Sequence, residues 1–286
     1  MLTKRDLIIL GLAGSASLAT TRAMAGDAQN LFVVGNRLFV DAEVNGHPVR
    51  ALLDSAAEAT VIDPAFARRI GLVGGAVVDA RGSGGDTKAA LAEGVRITAL
   101  GQLLGPLTVA LLDLSDVGRR LLNGPLDVIL GRELFDSARL SIDINGGRIR
   151  VLRGLVSRRG VALPLTTERG IETIPVSVEG HAPVQAAFDL GNGGDVLVSA
   201  AYAKEIGLLT DGRSVVEAKG GGIGGETSRQ TVKLRSLVIA GHEIRDVSAA
   251  IDATGSATTL NVGVEVMRHF RMVSDFKAQR LWLRAS

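Results

Sequence analysis

The chain spells out one long pattern twice, and that repeat constrains its fold more than any other feature. Gly35 to Val49 reads as a strand, an Asn45-Gly46-His47 turn and a second strand, which runs into Ala51-Leu52-Leu53-Asp54. Gly170 to Val184 repeats this with Glu179-Gly180-His181 at the turn and runs into Ala186-Ala187-Phe188-Asp189. A residue-Gly pair between alternating apolar residues is a hairpin signal. Next, Asp63 to Leu72 matches Ser199 to Leu208. Each is expected to be a short helix, N-capped by Asp63 or Ser199 and stopped by Gly71 or Gly207. Glycine-rich turns follow at Arg81-Gly82-Ser83-Gly84-Gly85 and Gly220 to Gly225, each leading into an alternating strand. Both copies end alike. Leu126 to Phe135 runs on to hairpin strands at Leu140-Ser141-Ile142-Asp143 and Arg148 to Leu152, and Leu260 to Met267 runs on to Phe270 to Asp275 and Arg280 to Leu283.

An ordered match over so many elements is a duplication. The predicted fold is all-β, with two pseudo-symmetric lobes and a few short helices. The predicted boundaries are 26–155 and 160–286, with a linker around Arg153 to Gly160. Thirty-six glycines against seven prolines fit a protein of many tight turns.

Composition excludes several functions. Net charge is +2, from 32 basic and 30 acidic side chains, too balanced for a nucleic-acid surface. Aromatic residues are 3%, too few for base-stacking platforms. Cysteine is absent, which removes disulfides, thiol chemistry, a lipoprotein anchor and a thiolate zinc site. No His-x-x-x-His or clustered carboxylate pattern suggests a metal, and no cofactor is expected. His47, His181, His242 and His269 are scattered, with His47 and His181 expected at solvent-facing turns. The glycine runs lack a Walker lysine, so they do not read as nucleotide loops.

Residues 1–25 read as a signal peptide, with Lys4-Arg5, an apolar stretch from Leu7 to Thr20 and an Ala23-Met24-Ala25 cleavage site. Thr3-Lys4-Arg5-Asp6-Leu7 also resembles a weakened twin-arginine signal. The apolar stretch falls short of the roughly 20 residues a membrane span needs. The expectation is bacterial export to the periplasm or medium, with no stable membrane insertion after cleavage.

The chemistry points to the two turn-borne acids. An ionised carboxylate between buried runs needs hydrogen bonds, a partner or a role. If the lobes pack about a pseudo-two-fold axis, Asp54 and Asp189 meet at it. Two carboxylates at hydrogen-bond distance share a proton and titrate in separated steps. One then serves as base toward a water while the other, as acid, polarises a carbonyl.

These motifs resemble the pepsin-like and retropepsin-like aspartic peptidases. Ala51-Leu52-Leu53-Asp54-Ser55-Ala56-Ala57 is similar to the family's apolar-apolar-Asp-Thr/Ser-Gly-Ala turn. Val128-Ile129-Leu130-Gly131-Arg132-Glu133-Leu134 is similar to its apolar-apolar-Gly-Arg-x-Leu segment. Gly221-Gly222-Ile223-Gly224-Gly225 resembles a retroviral flap tip, and Gly82, Gly84 and Gly85 would be its opposite number. The likeness is greatest to exported bacterial proteins with two retropepsin-like lobes.

The resemblance implies two β-barrel lobes and hydrolysis of a peptide or protein substrate. It implies catalysis by Asp54 and Asp189, with Ser55, Ala56 and Gly191 supporting them. A monomer suffices, because both acids lie in one chain. Arg132 would support its own lobe, Asp127 would cap a loop, and Asp143 and Asp275 would pair with Arg148 and Arg280. The turns depart from the family in two places. Ala56 stands where the family has Gly, and Leu190 stands where it has a hydroxyl. A peptide-binding module of the same fold without catalysis, and a purely structural β protein, remain as alternative readings.

Overall fold

The computed structural model describes residues 28–154, 160–194, 196–255 and 259–286. The proposed signal peptide and most of the linker lie outside them. The first half contains β1 (Gln29–Asn30), β2 (Phe32–Val34), β3 (Arg37–Val44), β4 (His47–Leu53), β5 (Val61–Ile62), α1 (Pro64–Arg69), β6 (Val77–Gly82), β7 (Gly85–Ala99), β8 (Gln102–Leu111), α2 (Ser115–Leu122), β9 (Val128–Leu130), α3 (Glu133–Ser137), β10 (Arg139–Asp143) and β11 (Arg148–Leu152). The second contains β12 (Val161–Pro164), β13 (Thr166–Glu168), β14 (Ile171–Val178), β15 (Val184–Phe188), β16 (Val196–Ser199), α4 (Ala200–Glu205), β17 (Val216–Gly220), β18 (Thr227–Ile239), β19 (His242–Asp252), β20 (Leu260–Val262), α5 (Val264–Met267), β21 (Phe270–Asp275) and β22 (Arg280–Ala285).

Each half builds an eight-stranded sheet, in the order β2-β3-β4-β9-β5-β8-β7-β6 and β13-β14-β15-β20-β16-β19-β18-β17. Renumbered within each copy, the two orders are the same. Extra pairings, β3 with β7 and β14 with β18, curl each sheet back on itself. The hairpin turns follow from their residues. Asn45 and Gly46 have φ of 49° and 83°, and Glu179 and Gly180 have 48° and 81°. Two successive positive-φ residues make the turn type whose twist matches that of the strands. The expected helix caps form as well: the Asp63 side chain accepts from the Ala65 N–H, and the Ser199 side chain from the Tyr202 N–H.

A third, six-stranded sheet joins the lobes, in the order β1-β11-β10-β21-β22-β12. At its centre β10 runs antiparallel to β21, from Leu140 opposite Ser274 to Asp143 opposite Arg271. This corrects two expected ion pairs. Asp143 and Asp275 do stand opposite Arg148 and Arg280 in their own hairpins. Their carboxylates nevertheless pair across the lobes, Asp275 with Arg139 at 2.8 Å and Asp143 with Arg271 at 3.2 Å. The N–H groups of Ala278 and Gly146 hold one oxygen of each carboxylate, and the second oxygen of each meets the other lobe's arginine.

The main core runs continuously through both lobes. Phe276 stacks on Phe135 at 5.0 Å and meets the edge of Phe188 at 6.5 Å, so residues of both halves interlock beneath the lobe junction. A smaller apolar cluster belongs to the first lobe alone. It includes Phe39, Leu52, Leu114, Val117 and Ile129, and α2 packs on it through Val117. His47 and His181 are exposed, as expected. His242 and His269 are less scattered than their spacing suggests, with ring centroids 6.4 Å apart.

Candidate active site

The two acids sit at equivalent strand ends. β4 pairs parallel with β9, and β15 pairs parallel with β20. Each central strand therefore stops beside a buried neighbour, and its next N–H extends the ladder. Asp54 N–H donates to Leu130 O, and Asp189 N–H to Val262 O, both at 3.0 Å. The chain then turns, and the turn cradles the carboxylate. Asp54 Oδ1 accepts from the N–H groups of Ala56 (2.9 Å) and Ala57 (3.0 Å). Asp189 Oδ1 accepts from those of Gly191 (2.9 Å) and Asn192 (3.0 Å).

The turns also touch one another. A Cβ built on Gly191 would run into the carboxyl group of Asp54, so glycine is required for that approach. Ser55 is buried and crosses between the lobes: its Oγ donates to Phe188 O at 2.7 Å and accepts from Leu190 N–H at 2.9 Å. No reciprocal hydroxyl exists, because Leu190 is a fully buried apolar residue. Ala56 is half-buried and contributes its N–H to the cradle.

The carboxyls differ in their surroundings. Burial, then the Asp189 charge, pushes Asp54 up to about 7 against its backbone donors, and a hydrogen bond between the two carboxyls pushes the same way. Burial also raises Asp189. Several groups oppose that rise, led by Asn261, whose Nδ2 donates to Asp189 Oδ2 at 2.6 Å. Asn261 is itself oriented by Asn192 Nδ2, which donates to its Oδ1 at 2.8 Å. In the first lobe the corresponding residue of β9 is Ile129, which can donate nothing. The positive charge of Arg37 acts on Asp189 as well. Burial pulls the Arg37 guanidinium below its ordinary value, against the attraction of Asp189, and the nearby Arg120 pulls it the same way as burial.

The glycine runs are hairpin tips. The first turns between Gly82 and Gly85, and the second beyond the Gly220–Thr227 pair. The tips meet each other with backbone against backbone. Gly84 N–H donates to Ile223 O at 2.8 Å, and a Cβ on Gly84 or Gly224 would strike Gly225 or Gly85. A Cβ on Gly222 would strike Ser83. Ile223 packs against the first-lobe cluster beneath α2. Arginines tie the tips down: Arg120 Nη2 donates to Gly222 O at 3.0 Å and Arg229 Nη2 to Ser83 O at 2.8 Å.

Arg132 does more than brace its own lobe. It pairs with Asp136 at 2.9 Å and with the second lobe's Glu172 at 3.1 Å, and its guanidinium donates to Gly170 O. Asp127 pairs with Arg69 at 2.8 Å, and its carbonyl accepts from the Asp63 N–H. Among the described residues no group of three or more His, Asp or Glu side chains converges on a metal site.

The sequence reading assigned no role to Asn261, Arg37 or Arg120. Asn261 carried a usable signal: an amide inside the apolar triplet Leu260-Asn261-Val262 has to find a partner.

A family model for aspartyl proteases matches residues 40–134 and again residues 174–266. Among curated proteins, the chain is similar to DNA damage-inducible protein 1 of Kluyveromyces lactis, 30% identical over 124 residues, covering 42% of this chain and 27% of that protein. The same protein of Eremothecium gossypii is 28% identical over 125 residues, covering 42% and 24%. That of Cryptococcus neoformans is 26% identical over 179 residues, covering 60% and 36%. The chain thus spans 24–36% of the length of these relatives. With one matched unit in each lobe, the chain belongs to the aspartyl protease family.

Proposed function

We propose that this chain is an aspartic endopeptidase in which Asp54 and Asp189 together hydrolyse peptide bonds. The observation that carries this reading is the unequal setting of two hydrogen-bonded carboxyls. Asp54 has no side-chain donor equivalent to Asn261, whose place is taken by Ile129, and it holds its proton up to about 7, while Asp189 has Asn261 and the field of Arg37 to favour its ionised form. Asp189 is then the base that takes a proton from a water. Asp54 is the acid that polarises the scissile carbonyl. A peptide would lie extended beneath the flap tips, adding its backbone to theirs, with alternate side chains directed into the cleft. Glycine at the tips permits the hinge motion that entry requires.

A second reading, a peptide-binding module without turnover, draws support from Leu190, which removes half of the cross-lobe hydroxyl lock. One experiment separates the two. Purified protein is screened against a quenched peptide library from about pH 3 to pH 8, beside Asp54→Asn and Asp189→Asn. Cleavage lost in both variants is expected, whereas cleavage unchanged in either overturns the dyad. Peptide binding with no turnover in the parent protein favours the second reading.

We also propose export directed by residues 1–25. Fusing this segment to a reporter and fractionating cells tests it, and retention of the fusion in the cytoplasm refutes it.

A further inference from the structure

The pseudo-two-fold axis gives most positions a counterpart, and one mismatch leaves a cation without an acid. Arg37 opens β3, and its equivalent at the start of β14 is the uncharged Ile171. Arg37 Nη1 donates to Gly35 O at 2.9 Å, and among the described residues no carboxylate lies within ion-pair distance of it.

The reason lies four residues beyond each aspartate. In the first lobe that position is Glu58, whose carboxylate reaches Gly170 of the opposite lobe. In the second lobe it is Gly193, and the Arg37 stem lies against it: a Cβ there would sit 2.9 Å from Arg37 Cγ. Thus one side of the axis offers an acid, and the other side offers Gly193 to Arg37. Arg37 is half-buried, its stem against the Asp189 turn and its Nη1 on Gly35, which packs on Leu121 O of α2, the helix whose Arg120 holds the flap carbonyl of Gly222. Both Asp189 and Arg120 act on its charge. A guanidinium so placed favours a planar carboxylate over any neutral group.

We propose that Arg37 is a specificity-determining residue, whose guanidinium receives a carboxylate of the bound peptide beside the Asp189 turn. The inference rests on the peptide-cleft reading above but not on turnover. The carboxylate is an Asp or Glu side chain or the C-terminus of the peptide, and the probes distinguish them. One set is amidated at the C-terminus and carries Glu or Gln at each position around the scissile bond. The other carries only Gln, with a free or an amidated C-terminus.

Binding is measured by fluorescence anisotropy on the Asp54→Asn protein, and cleavage on the parent protein. A preference of about tenfold or more for the carboxylate-bearing member of one pair is expected. Arg37→Gln should erase it, and Arg37→Glu should turn it toward Lys at the same position. That gain cannot come from misfolding. A profile unchanged by either substitution overturns the proposal. Carboxylate preference in binding without any cleavage refutes the peptidase reading and leaves Arg37 standing. Cleavage with no carboxylate preference does the reverse, and failure to bind or cleave any peptide overturns both.

Discussion

Ser55→Ala tests whether the one-sided hydroxyl lock holds the lobes together. The Ser55 side chain is 2% exposed, and its Oγ satisfies two buried backbone groups of the other lobe, Phe188 O and Leu190 N–H. Alanine keeps the volume and leaves both groups unpaired. A buried polar group deprived of its partner costs about 1–3 kcal/mol, so the pair together costs about 2–6 kcal/mol. No second hydroxyl shares the load, because the matching position is Leu190.

The assay is urea denaturation followed by fluorescence. The sole tryptophan, Trp282, is buried in the sheet that joins the lobes and reports on that junction. With a slope near the upper end of about 1–3 kcal/mol per molar urea, the midpoint should fall by about 0.7–2 M at unchanged slope. A loss below about 0.5 kcal/mol, the level of an inert surface change, would refute the reasoning. It would mean that the orphaned groups find other partners and that the lobes are held by the β10–β21 seam alone.

Cleavage should fall as pH rises through about 7, where Asp54 loses the proton it needs, and fall again in acid as Asp189 gains one, at a pH above the ordinary carboxylate value. The same pair shapes stability. From the ordinary carboxylate value of 3.8 up to about 7, folded Asp54 keeps a proton that the unfolded chain has lost, so its contribution to stability declines as pH rises, measurable by denaturation across that range. Asn261→Leu removes the 2.6 Å donor to Asp189, so the acid limb of the rate profile should move up by about one pH unit while the alkaline limb moves less. The two seam ion pairs are related by the pseudo-axis but differ in burial, with side-chain exposures of 22% and 9% for Arg139 and Asp275 against 57% and 26% for Arg271 and Asp143. Arg139→Ala should therefore cost about 3 kcal/mol by stranding a buried acid, and Arg271→Ala about 0–1 kcal/mol, in the same urea assay.

What the sequence conveys and what it hides follow a physical division. Strand, turn and cap chemistry is local, so each hairpin, each N-cap and the duplication itself can be read from residue types. Contacts across the pseudo-axis cannot be read that way. Arg139 and Arg271 occupy matching positions, so nothing in either copy says that each serves the other's aspartate. The flap glycines are visible, but their reason is a close approach of two backbones that only the packed lobes create. Among the described residues α2 has no counterpart in the repeat, so aligning the two copies passes over the helix that sends Arg120 to the flap. Arg37 looks like any charge at the start of a strand until Gly193 is found against its stem.

Joining the lobes in one chain matters because it frees them to differ. A symmetric homodimer gives both of its aspartates the same surroundings, and the choice of which one keeps the proton is then left to chance or to the substrate. In this chain the differences at the site divide by side. Asp189 has Asn261 where the first lobe has Ile129, and it has the cation Arg37, whose equivalent is the uncharged Ile171. The changes all favour charge on Asp189 and a proton on Asp54. The lost hydroxyl at Leu190 fits the same division. Its removal leaves Ser55 to bind the Asp189 turn from the first lobe, while the Asp54 turn receives no hydroxyl in return. On the proposed chemistry, a dyad with a fixed acid and a fixed base also fixes the direction in which a peptide lies productively across it. Arg37, off to the Asp189 side, would read that direction through a carboxylate on one side of the scissile bond only.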